Sequence, residues 1–248
     1  MQNGKLTGKV ALITGAAQRV GAATAKTLHH HGCNIVIHYR RSERAAKSLQ
    51  EELQAQRKHS VRLVRGDILD PLDRSELLDK AAGFWQRLDV LVNNASSFYP
   101  TPIGSVTYEQ WDDLIGSNLK APFFLCQQAA PWLIKSMGCI VNIVDIHAER
   151  PLKSYPVYSI AKAGLAMLTK ALARELGPDV RVNGVAPGAI LWPSRDIDDE
   201  RRETIIERTA LKRKGEPQDI ANAVVYLTQA QYVTGQIIAV DGGRSLHL

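Results

Sequence analysis

The sequence predicts an α/β chain with a doubly wound, mostly parallel sheet of about seven strands and helices on both faces. Three observations predict it. Apolar runs of strand length recur along the chain, several of them uninterrupted, as parallel strands buried on both faces require. Stretches with helical apolar spacing separate these runs. No linker, repeat or low-complexity segment divides the 248 residues, a length that suits one domain with a sizeable core.

The strand-like segments are Lys9–Thr14, Cys33–Tyr39, Val61–Arg65, Leu88–Val92, Cys139–Val144, Arg181–Ala186 and Gln236–Val240. Between them, helices are expected over Arg19–His31, Ser42–Gln56, Pro71–Gln86, Tyr108–Lys135, Tyr155–Leu176 and Pro217–Gln229. Asp70-Pro71 is a helix-start signal, and Gly177-Pro178 is a stop. The longest helix is expected to bend around Pro122. The segment Leu191–Arg213 breaks the rhythm and is dense in charge, so it reads as an insertion covering a site. The whole chain, 1–248, reads as a single dinucleotide-binding and catalytic domain.

Composition narrows the function. Apolar residues make up 45% and charged residues 23%, as in ordinary globular proteins. The apolar runs are too short to span a bilayer, and the polar N-terminus has no signal-like apolar region. Cys33, Cys126 and Cys139 are an odd set without metal-ligand spacing, which reads as reduced thiols in a cytoplasmic protein with no metal site. The net charge of +6 is spread along the chain among acidic residues. It favours anionic ligands over a nucleic-acid surface, and neither a nucleic-acid nor a membrane partner is expected.

The first strand runs into Thr14-Gly15-Ala16-Ala17-Gln18-Arg19-Val20-Gly21. A strand, a glycine turn and a helix present backbone N–H groups to a pyrophosphate. Gly15 suits the turn, and Gly21 lets the helix approach the sheet. The second strand ends in His38-Tyr39-Arg40-Arg41-Ser42, with no carboxylate before Glu43. Two guanidiniums and a hydroxyl suit a 2′-phosphate, so the predicted cofactor is NADPH and not NADH. Asp67-Ile68 after the third strand and Asn94-Ala95-Ser96 after the fourth complete a cofactor groove at strand C-termini. Asp67 is expected to meet the adenine amino group and Asn94 the adenosine ribose.

Tyr158 and Lys162 are four residues apart, hence on one helix face. A nearby ammonium is expected to lower the phenol pKa and ready it for proton transfer. Asp145 lies at the end of the fifth strand, Asn118 in the long helix, and Pro187-Gly188, with Ile190 beyond, after the sixth strand. This set, in this order, resembles the short-chain dehydrogenase/reductase family over essentially the whole chain. The resemblance implies that Asn118, Tyr158 and Lys162 are three of that family's four catalytic positions. The fourth, normally serine, is Asp145 here. An ionised carboxylate cannot donate a hydrogen bond, which counts against ordinary ketone reduction.

Four local features resemble the pteridine reductase group within that family. They are Arg19 in the glycine turn, the His38–Ser42 stretch, the loop Asn93-Asn94-Ala95-Ser96-Ser97-Phe98-Tyr99-Pro100-Thr101-Pro102, and Asp145 preceding Tyr158 and Lys162. The resemblance implies reduction of a dihydropterin or dihydrofolate to the tetrahydro form, and of oxidised pterin as well. It implies that Phe98 and the nicotinamide sandwich the pterin, and that Arg19 and Ser96 touch both ligands. Asp145, Tyr158 and Trp192 complete the substrate list. A homotetramer is implied, in which His247 and Leu248 approach a neighbouring site. Two alternatives stay open: a carbonyl or 3-oxoacyl-thioester reductase, and an NADPH-binding sensor without turnover.

Overall fold

The computed structural model describes residues 6–190 and 199–247. Seven strands form one parallel sheet in the order β3-β2-β1-β4-β5-β6-β7. They are β1 (Val10–Ile13), β2 (Asn34–Tyr39), β3 (Val61–Arg65), β4 (Val90–Asn93), β5 (Cys139–Ile143), β6 (Arg181–Pro187) and β7 (Ile237–Val240). Each expected strand is present, with ends moved by no more than two residues.

Alternation along the strands builds a core on each face. In β1, Ala11 and Ile13 join one apolar cluster with Leu28, Leu49 and Val224. Val10 and Leu12 join the other with Leu77, Leu125 and Leu133. Helices α1 (Arg19–His30), α2 (Glu43–Gln56) and α8 (Pro217–Gln229) supply the first layer, while α3 (Pro71–Gly83) and α5 (Ala121–Ser136) supply the second. Asp70 caps α3 by accepting from the Leu72 and Asp73 N–H groups at 2.8 and 2.9 Å, ahead of Pro71. This is the start that the sequence signals.

The long expected helix is interrupted. Helix α4 (Tyr108–Ile115) passes through a π-turn, Gly116–Lys120, into α5. The break therefore precedes Pro122. Proline has no N–H to donate to the Asn118 carbonyl four residues earlier. The ladder widens instead, and the Ala121 N–H reaches back to the Gly116 carbonyl. Helix α6 (Pro156–Glu175) carries Tyr158 and Lys162. Helix α7 (Asp199–Glu207) lies within the segment expected to cover the site. Trp192, Leu248 and the rest of 191–198 lie outside the described residues.

The chain order reverses between β1 and β4: β2 lies on one side of β1, while β4 lies on the other. Doubly wound sheets leave a crevice at such a point, beyond the strand C-termini. The cleft described below opens there.

Candidate active site

A cleft of about 620 Å³ runs along the C-terminal ends of the strands. Its walls include the β1–α1 turn, the ends of β2 and β3, the loop after β4, and the Asp145, Tyr158 and Pro187–Ile190 segments.

The β1–α1 turn is stitched from three sides. His38 Nδ1 accepts the Gly15 N–H at 3.1 Å, and Nε2 donates to the Gly66 carbonyl at 3.1 Å. Burial holds the His38 pKa down, so the ring is neutral with its proton on Nε2. Thr14 Oγ1 accepts the Asn94 and Ala95 N–H groups at 2.9 and 3.0 Å. The Asn94 amide donates to the carbonyls of Thr14 and Gly15 at 2.8 and 3.2 Å. Asn94, expected to face the ribose, thus commits its Nδ2 to the turn. A Cβ on Gly21 would stand 2.5 Å from the Gly15 carbonyl oxygen and 2.7 Å from that amide, so only glycine lets α1 approach this closely. Arg19, at the mouth, holds φ +55°. That left-handed backbone costs an ordinary residue about 1–2 kcal/mol, and strain of this kind gathers at ligand sites. Helix α1 starts with no side-chain cap and no acidic residue in its first turn. Its positive end suits an anion.

At the β2 end, Arg40 Nη1 lies 3.2 Å from Asp67 Oδ2. The sequence reading assigns these two residues to different parts of the ligand, whereas the parallel pairing of β2 and β3 brings them together. Asp67 Oδ1 also accepts the Leu69 N–H at 3.0 Å. Arg41 and Ser42 line the cleft beside them. Ser42 precedes α2 without using its hydroxyl as a cap.

At the other end, the Tyr158 hydroxyl donates to Asp145 Oδ2 at 2.7 Å. Asp145 Oδ1 accepts the His147 N–H at 2.8 Å, which aims the carboxylate. Lys162 Nζ donates to the Ile143 carbonyl at 2.8 Å and stands 5.6 Å from the Tyr158 ring centroid. One expectation is corrected. The ammonium does not lower the phenol pKa here; burial and then the Asp145 carboxylate raise it well above the usual phenol value. Lys162 spends its proton on a carbonyl, and burial brings its own pKa down to about 8. Tyr158 is therefore a protonated donor at neutral pH.

Phe98 is 41% exposed at the cleft. It stacks on Tyr155 at 4.7 Å and meets Tyr158 edge-on at 4.8 Å. Asn118 differs from its expected place. It is 1% exposed and does not line the cleft. Its Nδ2 donates to the Ser97 and Leu114 carbonyls, each at 3.0 Å, while Oδ1 has no partner among the described residues. Asn118 thus positions the loop that carries Ser96 and Phe98.

The remaining expected site residues among those described line the cleft; Trp192 lies outside the described residues. Sequence reasoning missed Tyr155, His147, Leu152, Ile205 and Arg244, and gave His38 no role. Tyr155 had a signal, being three residues before Tyr158 on one helix face. Arg244 and Ile205 had none, because only the fold returns them to the site. The three cysteines are free and buried, and burial pushes their thiols up to about 12, 12 and 11. Among the described residues no cluster could hold a metal ion, and no helix is long and apolar enough to cross a membrane.

A family model described as enoyl-(acyl carrier protein) reductase matches residues 15–245. The chain belongs to the short-chain dehydrogenase/reductase family. It is 36% identical to pteridine reductase 1 of Leishmania tarentolae across 97% of both chains. It is also 35% identical to the 3-oxoacyl-[acyl-carrier-protein] reductase FabG of Thermotoga maritima, over 96% of this chain and 98% of that one. A blue fluorescent protein from a metagenomic library, solved in complex with NADPH, superposes with a TM-score of 0.91 at 34% identity, covering 98% of this chain and 99% of that one.

Proposed function

We propose that this chain is an NADPH-dependent reductase of pterins, taking a dihydropterin or dihydrofolate to the tetrahydro form. One observation carries the substrate class: an Asp145 carboxylate, in place of a hydroxyl donor, holds Tyr158 at 2.7 Å beside the partly exposed ring of Phe98. A ketone oxygen accepts at its two lone pairs, and an ionised carboxylate beside it offers no donor. A pterin edge carries N–H donors that a carboxylate can accept, and its flat ring suits an aromatic wall.

The residues present fit NADPH. The uncapped start of α1, the Gly21 approach, and Arg41 with Ser42 suit its pyrophosphate and 2′-phosphate. When bound, NADPH supplies the hydride. The chain does the rest. Tyr158 Oη holds the proton delivered to a ring nitrogen. Asp145 accepts from the pterin N–H edge and orients Tyr158. Lys162, anchored on Ile143, keeps a cation beneath the site below a pH of about 8. The relative named pteridine reductase supports this reading. Relatives named 3-oxoacyl reductases support a second one, the reduction of a thioester ketone. Asp145 favours the first.

The test is direct. Purified protein is mixed with NADPH and 7,8-dihydrobiopterin, dihydrofolate, or an acetoacetyl thioester, and absorbance is followed at the nicotinamide band. Pterin-dependent oxidation abolished by Tyr158→Phe supports the reading. Oxidation with the thioester alone refutes it.

A further inference from the structure

We propose that Arg244 is the anchor for an anionic group, a carboxylate or a phosphate, carried by the substrate outside the reacting ring. For the ring itself the inference rests on the pterin reading above; for the charge it does not.

Arg244 lines the same cleft as Asp145 and Tyr158. It begins the closing 3-10 turn, Arg244–His247, three residues beyond the end of β7. Five strand spacings of about 4.8 Å separate β7 from β2 in the sheet order, so the strands that Arg244 and Arg41 follow lie roughly 24 Å apart. A 2′-phosphate held by Arg41 and Ser42 is out of its reach.

The guanidinium sits on a fixed platform. Gly242 and Gly243 take φ +63° and +79°. A Cβ on either would lie 2.8 Å from Thr209 or Ala210, just beyond α7. Asp241 accepts the Gly243 and Ser245 N–H groups at 2.9 and 2.7 Å, and the Leu211 N–H closes on the Gly242 carbonyl at 3.0 Å. A positioned cation of this kind selects ligands better than one on a free loop.

Among the described residues its charge has no ion-pair partner. Arg40, in the same cleft, has Asp67. Arg244 donates from Nη1 to the Ile205 carbonyl at 3.2 Å and joins no ion pair among the described residues. Burial and the neighbouring Arg208 hold its pKa down, against the smaller opposite pull of Asp145 and Asp241. A half-buried cation beside a second cation gains from an incoming anion, because the anion relieves both desolvation and repulsion.

The experiment compares pairs of substrates that differ in charge outside the ring. With 7,8-dihydrobiopterin as the uncharged member, dihydrofolate tests carboxylate and dihydroneopterin triphosphate tests phosphate. Arg244→Gln is expected to lower kcat/KM for a charged member about tenfold or more beyond any loss for the uncharged one. Arg244→Lys should recover part of that ratio. Arg208→Gln, at an exposed position, should shift the ratio the same way by a smaller factor. Equal losses for both members of every pair overturn the proposal. If the wild type reduces no pterin, the ring reading fails separately. The same ratio is then measured on acetoacetyl-coenzyme A against the uncharged acetoacetyl N-acetylcysteamine thioester, where equal losses again overturn it.

Discussion

Lys162→Met tests the buried cation quantitatively. Lys162 is 3% exposed, and burial lowers its pKa from 10.5 to about 8. In the unfolded chain it keeps its proton up to about 10.5. Between those values the unfolded state binds more protons, so this group makes stability rise with pH. Below about 8 both states are charged, and the burial cost is fully present. That cost is roughly 3 kcal/mol, from 2.5 pKa units at about 1.36 kcal/mol each. Between pH 7.5 and 9.5 the wild type should gain about 2 kcal/mol relative to Lys162→Met. The comparison has to be a difference. The buried thiols, raised to about 11 and 12, work in the opposite direction above their unfolded value, and they cancel between the two proteins. The variant leaves the Ile143 carbonyl without its donor, at about 1–3 kcal/mol, so the two proteins should be similar near pH 7. The assay is urea unfolding at half-unit pH steps with reductant present. Parallel pH curves for the two proteins would show that Lys162 carries no burial cost.

Other outcomes follow from the same geometry. Asp145→Ser replaces an acceptor with a donor, so pterin turnover should fall and ketone turnover rise when both are followed by NADPH oxidation. A loss of both would deny the carboxylate a substrate role. Arg41→Ala should weaken NADPH about tenfold or more, and NADH far less, in fluorescence titrations; equal losses would remove the phosphate contact. His38→Ala leaves the Gly15 N–H and the Gly66 carbonyl unpaired. It should cost about 2–3 kcal/mol in urea unfolding and weaken NADPH. Wild-type affinity in that variant would show that the turn holds itself.

The sheet was legible because its central strands are buried on both faces and read as near-continuous apolar runs. The edge strands β3 and β7 are partly exposed yet still apolar in part. The order of motifs along the chain placed the cleft. The π-turn at Gly116–Lys120 was not legible, since a proline marks that a helix is disturbed but not how its ladder adjusts. Asn118 was placed in the site by its motif, yet its contacts make it a support for the Ser96–Phe98 loop. The Tyr158 pKa ran opposite to expectation because spacing alone does not show where an ammonium points. His38 lay in a stretch read for phosphate binding, and its role depends on a neighbour, Gly66, that only strand pairing supplies. Arg244 reaches the cleft through the last turn of the fold, which no local pattern foretells.

The most direct measurement uses NADPH deuterated at the transferring position of C4, incubated with the protein and 7,8-dihydrobiopterin, with the product analysed by mass spectrometry. One deuterium is expected in the tetrahydropterin, and none with Tyr158→Phe. Deuterium found only in a co-incubated ketone or thioester, with the pterin unlabelled, would contradict the proposed pterin reduction.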